Sequence, residues 1–140
     1  MELDWKKWFE IGHETIDFEH KVFFSLIHKL QCLTTDNHAA DDIRRTMNEI
    51  MKYAEFHFVS EENIMIECNY DKLESHVILH RNLLRDLRDA ITMHEGGAEN
   101  DEEIVTFLFN WLLEHTIKAD LDISRHVKEK NLRCYFNVGA

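Results

Sequence analysis

The stretch Ile43-Arg-Arg-Thr-Met47-Asn-Glu-Ile50-Met-Lys-Tyr-Ala54-Glu-Phe-His57-Phe-Val-Ser-Glu61-Glu-Asn-Ile64-Met-Ile-Glu-Cys68 decides the architecture. Its numbered positions recur at alternating steps of four and three, the narrow seam of a helix that faces other helices. Two members of that seam, His57 and Glu61, are polar. Residues four apart on a helix differ by about 40° in direction and one turn in height. His57 and Glu61 therefore form a two-toothed clamp directed into the core.

Working outward, the same pattern predicts three more helices. One spans about residues 17–33, with His20, Phe24, Ile27 and Gln31 on one stripe. Another spans 71–94 and places Leu73, His76, His80, Leu83, Leu87 and Ile91 inward. A third spans 101–117, with Ile104, Leu108, Trp111 and His115 on its inner stripe. Residues 1–16 read as an aromatic arm carrying Trp5, Trp8, Phe9 and Ile11 before Gly12, packed over the core. A fifth short helix is expected over 119–132, with Leu121, Ile123 and Val127 facing in. Thr34 to Asn37 offer caps for the quoted helix, Asp71 with Glu74 is spaced as a capping box, and Asn100 with Glu103 repeats that spacing. Four helices with short connections predict an all-α, up-down-up-down four-helix bundle, with the N-terminal arm and the short C-terminal helix added to it. Residues 1–140 are expected to form one domain.

Every predicted helix carries polar side chains on its apolar stripe. Five imidazoles (His20, His57, His76, His80, His115) and two carboxylates (Glu61, Asp120) converge in this reading. A lone histidine on an apolar face is ordinarily a hydrogen-bonded core residue. Seven together are different, because each buried polar group left unpaired costs roughly 1–3 kcal/mol. Imidazole with carboxylate suits iron, manganese or zinc, and seven ligands exceed what one ion takes, so the set predicts a two-metal site. Asp120 lies five residues past His115, about 140° out of phase on a regular helix. The fourth helix is therefore expected to end or bend near Lys118, turning Asp120 back to the centre. Asp17, one turn before His20, is a candidate to orient that imidazole or to cap its helix; Glu62 reads as a solvated residue or an acceptor behind a ligand. His13, His28, His38, His94 and His126 are expected at the surface.

Composition narrows the function. The 140 residues are 44% hydrophobic and 31% charged, with no proline and four glycines, as a folded helical chain requires. A formal charge of −11 repels phosphate backbones and anionic lipid, which argues against nucleic-acid and membrane-surface roles. Cys32, Cys68 and Cys134 lack Cys-x-x-Cys spacing, and their odd number predicts thiols in a reducing compartment rather than a disulfide framework. The first residues contain no apolar signal core, and no apolar run approaches a membrane span. The expected location is the cytoplasm.

The pattern His20, His57-x-x-x-Glu61, His76-x-x-x-His80, His115-x-x-x-x-Asp120 resembles hemerythrin, in particular the bacterial hemerythrin-like domains. The likeness extends over nearly the whole chain. It includes Ile16-Asp17-Phe18-Glu19-His20-Lys21, His57-Phe58 followed by Glu61-Glu62 and Met65, and Trp111 one turn before His115. One departure is Asn69-Tyr70-Asp71, where relatives often have a Gly-Tyr-Pro-like turn. The resemblance implies two iron ions: His76, His80 and His115 would hold one, His20 and His57 the other. Glu61, Asp120 and an oxo or hydroxo group would bridge them. It further implies reversible dioxygen binding at the five-coordinate iron, for oxygen carriage, storage or sensing. A sensor would work through a signalling output domain or a partner protein. The alternative is a di-iron redox enzyme (an oxidase, a peroxidase or a nitric-oxide-handling protein), or a redox sensor that autoxidises rapidly. Catalytic residues are not expected on the leading reading. Phe24, Leu108 and Trp111, about one turn from ligands, are candidates for the wall of a dry oxygen pocket.

Overall fold

A computed structural model describes residues 4–36, 39–97 and 100–130, with the His115 side chain outside that description. The bundle consists of α1 (Glu14–Thr35), α2 (Ala40–Glu67), α3 (Leu73–Glu95) and α4 (Asp101–Asn110). A π-helical turn, Trp111–Ile117, continues α4 into α5 (Lys118–Glu129). A single 3₁₀ turn, Lys7–Phe9, precedes α1, and no strand occurs among the described residues. Helix α1 packs on α2 and α4, and α3 packs on α2 and α4, which closes the four-sided bundle.

The α2 seam behaves as its periodicity requires. Ile43, Met47, Ile50, Ala54, His57, Glu61, Ile64 and Cys68 are all buried. At its end Cys68 caps the helix and Asn69 adopts a left-handed φ of 54°. The Asn69 amide bonds the Ile66 carbonyl at 3.2 Å and the Tyr70 amide bonds that of Met65 at 2.9 Å. Paired in this way, the two bonds close the helix as a Schellman motif. Asparagine, whose side chain tolerates this conformation, takes the place a glycine would fill in the turn.

Several local expectations are corrected. Helix α3 begins at Leu73 after Lys72, with no side-chain cap, so Asp71 and Glu74 form no capping box; α2 follows Ala39, likewise without one. Asn37 and His38 lie outside the described residues. Asn100 and Glu103 do form the reciprocal capping box on α4. In the arm, Phe9 and Ile11 are buried and Trp5 partly so, whereas Trp8 is 74% exposed. Phe9, Trp5, Phe24 and Phe109 pack edge-on or tilted as one aromatic cluster. Gly12 is needed where it stands. Its φ is +92°, and an added Cβ would collide with the Lys128 ammonium from α5. Cys68 is disulfide-bonded rather than a thiol, Cys32 is a free exposed thiol, and Cys134 lies outside the described residues. No described helix is long and apolar enough to cross a membrane.

Candidate metal centre

Three bundle helices and α5 deliver polar residues to one level of the core. α1 brings His20, α2 brings His57 and Glu61, α3 brings His76 and His80, and the first turn of α5 brings Asp120. All six are 6% exposed or less. The backbone carrying His115 lies in the π turn; its side chain is not among those described.

Asp120 reaches the centre because of that turn. A π-helix bonds i to i+5 rather than i+4 and so takes in extra residues per turn. The Thr116 hydroxyl donates to the Trp111 carbonyl across the same five-residue step, at 3.4 Å. The helix thus does not end near Lys118, one of the two outcomes that the spacing predicts, but widens to more residues per turn from Trp111 and stays helical. A five-residue interval is thereby brought nearly into phase.

The two carboxylates divide their oxygens. Glu61 Oε1 lies 2.7 Å from His76 Nε2 and 2.9 Å from His80 Nε2, while Oε2 lies 3.3 Å from His57 Nε2. Asp120 Oδ1 lies 3.1 Å from His76 Nε2, while Oδ2 lies 2.9 Å from His20 Nε2 and 3.9 Å from His57 Nε2. Two sets of potential ligands result: His20, His57, Glu61 and Asp120; and Glu61, His76, His80 and Asp120. Within each, the donor atoms lie within 4.8 Å of one another. Both sets contain both carboxylates.

Two of the four described outward-facing nitrogens, those of His57 and His80, are braced, whereas His20 Nδ1 is buried without a partner. His57 Nδ1 donates to Glu19 Oε1 at 2.7 Å, and Glu19 Oε2 accepts from the Ser60 hydroxyl at 2.7 Å. His80 Nδ1 donates to Glu62 Oε2 at 2.7 Å, so Glu62 is the acceptor behind a site histidine. Such partners fix the tautomer and raise the basicity of a ligand imidazole. Glu19 received no role from the sequence. It sits one residue before His20, about 100° around the helix, and its meeting with α2 depends on how two helices pack. Asp17 neither caps α1 nor touches His20: its carboxylate accepts from the Ile11 and Gly12 amides, pinning the arm.

Electrostatics fit a cluster built for cations. Burial pushes the His57 imidazole down, but the Asp120, Glu19 and Glu61 carboxylates more than reverse this and hold it well above its ordinary range. Burial likewise opposes, and Asp120 and Glu61 overcome, the rise of His76 to about 9. Glu61 is held well below the usual carboxylate range: burial works against this, and His57, His76 and His80 outweigh it. Protons therefore stand in for metal charge. The substitution is incomplete, since His57 Nε2 and Glu61 Oε2 are buried without a hydrogen-bond partner. An ion among them would satisfy both, so the donors fit a metal.

Aromatic rings seal one side. Phe58 stacks on His80 with centroids 4.1 Å apart and a 10° tilt, Phe23 meets His57 edge-on at 5.7 Å, and Trp111 packs against both phenylalanines. The Trp111 indole N–H donates to the Leu83 carbonyl at 3.1 Å. Leu108 is buried, and Phe24 packs with the arm. Three histidines expected at the surface are drawn in. His13 is buried as the N-cap of α1, its Nδ1 accepting from the Ile16 amide. His94 bonds Asp101, and His126 Nε2 donates to the Cys68 carbonyl at 2.8 Å.

Proteins that gather histidines and carboxylates inside an up-down four-helix bundle form a recognisable class, and sequence comparison places this chain within it. Residues 11–125 match the family described as the hemerythrin HHE cation binding domain, and the chain belongs to the hemerythrin family. It is 30% identical to a bacteriohemerythrin of Clostridium acetobutylicum, over 83% of this chain and 94% of that one. It is 25% identical to a bacteriohemerythrin of Stenotrophomonas maltophilia, over 90% and 82% of the two chains. A myohemerythrin of Theromyzon tessulatum is 30% identical, over 83% and 86%. No solved structure matches. The family is one of non-haem iron and oxygen binding, and the His/Glu/Asp cluster is the part of this chain suited to it.

Proposed function

We propose that the chain is a di-iron protein that reversibly binds dioxygen, as a carrier, a store or a sensory module. The observation that carries this reading is the division of Glu61 and Asp120 between two histidine sets, because a carboxylate that offers one oxygen to each side is a bridge for two ions. His20 and His57 would hold one iron, and His76 and His80 with His115 the other. The His20 and His57 side would then offer one protein ligand fewer, which would leave a position open to a small ligand. A reduced iron pair held there, with an oxo or hydroxo bridge as the resemblance implies, would supply two electrons and that open position to dioxygen.

The chain's own groups do the rest. Glu19 and Glu62 hold His57 and His80 in the tautomer that presents Nε2 inward. Phe23 and Phe58, backed by Trp111, keep water from the histidines they cover, which would keep protons from a bound gas and so prevent its loss in reduced form with the metal left oxidised. An oxidase is disfavoured by the ligand chemistry, since ferritin-like oxidases use mostly carboxylates and Glu-x-x-His groups, whereas histidine predominates here. The test is to reduce the iron-loaded protein without air, admit oxygen, and follow the visible spectrum alongside iron content. A coloured adduct that forms and disappears with oxygen pressure at two irons per chain supports the reading. Direct conversion to a diferric state, with peroxide turnover, rejects it.

A further inference from the structure

His76 differs from the other site residues. It is 6% exposed, against 0–2% for His20, His57, Glu61, His80 and Asp120. Its Nε2 faces Glu61 and Asp120, which turns Nδ1 outward. No described residue accepts from that nitrogen, whereas Glu19 and Glu62 cover the corresponding atoms of His57 and His80. Tyr70 stands over His76, ring edge to ring face, with centroids 6.3 Å apart, and leans on His126 at 5.3 Å. Beyond Tyr70 lies a concave surface bordered by Lys72, Asp122, Arg125 and His126. Lys72 and Asp122 span its rim with a 2.9 Å ion pair. The Schellman bonds at the end of α2 fix where Tyr70 stands.

We propose that this concavity is the port through which divalent metal ions reach and leave the centre, with Tyr70 as its gate. Among the described residues the other histidines are closed off: Phe23 and Glu19 cover His57, Phe58 and Glu62 cover His80, and His20 is wholly buried. An ion crossing the α2–α3 turn passes the edge of Tyr70, meets the His76 ring, and is handed to Glu61 and Asp120 directly behind it. Binding strength is set by the ligands; Tyr70, which is not one of them, sets the rate in both directions. The inference rests on reading the cluster as a metal centre, but not on which metal or gas it serves.

The test uses cobalt(II) as a coloured probe, measuring uptake by the metal-free chain and loss from the loaded chain to a chelator. Y70A is expected to accelerate uptake and release by similar factors of several-fold, leaving equilibrium affinity unchanged, and Y70W to slow both. V105A truncates a buried side chain in α4, outside the site, and controls for general loosening; it is expected to leave both rates at the wild-type value. Rates insensitive to residue 70, a Y70A effect on affinity rather than on rates, or equal acceleration by V105A would each overturn the port. A chain that takes up no cobalt at all would instead overturn the metal centre, and the port with it.

Discussion

Glu19 of α1 and His57 of α2 are joined by a 2.7 Å hydrogen bond, and Ser60 holds the other oxygen of the same carboxylate. One α1 residue thereby sets the tautomer of a histidine on the neighbouring helix. Replacing it, Glu19→Ala, is expected to lower metal affinity by about 10–100-fold while the helical content stays. Chelator competition monitored with circular dichroism checks this; unchanged affinity would mean that His57 needs no support.

Glu61 is enclosed by three imidazoles and has no access to solvent. Glu61→Ala leaves His57, His76 and His80 without their shared counter-charge. Breaking a buried charged cluster in this way typically costs about 3–5 kcal/mol. Urea unfolding of the metal-free variant should show a loss of that order, and iron analysis should find fewer than two ions per chain. Retention of two ions would refute bridging through this residue.

The metal-free protein should lose stability as the solution becomes alkaline. His76 stands at about 9 when folded, against 6.5 ordinarily, and His57 is raised as well. A raised imidazole stabilises the fold fully below about pH 6.5, and that contribution disappears as pH climbs through about 9. Glu61, held below its ordinary 4.5, acts oppositely: its contribution is present above that value and disappears as acid protonates it. Metal requires deprotonated ligands, so its affinity should rise over the same alkaline interval. Melting curves of metal-free and loaded protein from pH 6 to 9.5 should therefore diverge; parallel curves would count against these assignments.

Gly12 combines a φ of +92° with the Lys128 ammonium where a side chain would begin. Gly12→Ala is expected to destabilise the protein by about 1–3 kcal/mol through backbone strain and a displaced lysine. Thermal melting measures it. No change in midpoint would show that the arm is free to shift.

Much of this was readable in advance, for identifiable reasons. The α2 seam from Ile43 to Cys68 was legible because every member serves the same core, so period and burial coincide. That His20, His57, Glu61, His76, His80 and Asp120 meet in the core was legible because polar groups on those stripes contradict them. What escaped depends on contacts between elements. Glu19 looks like any solvated acid until α2 is laid beside it. Asp17 is bound by arm amides that no helical spacing reveals. Phe23, rather than Phe24, meets His57, since a shift of one residue along α1 exchanges the metal side for the arm side. The cap at Asp71 failed because Asn69 and Tyr70 first complete the closure of α2, leaving α3 to start at Leu73.

The π turn at Trp111–Ile117 behaves like a phase plate inserted in the last rod of the bundle. Deleting one residue there would rotate everything downstream by about 100°, carrying away Asp120 together with the contacts that Asp122 makes to Lys72 and His126 makes to the Cys68 carbonyl. The length of a seven-residue segment, more than the identity of most of its side chains, thus dictates which way the C-terminal helix looks. Homologues that trim it by one are expected to have lost Asp120 from the cluster as well.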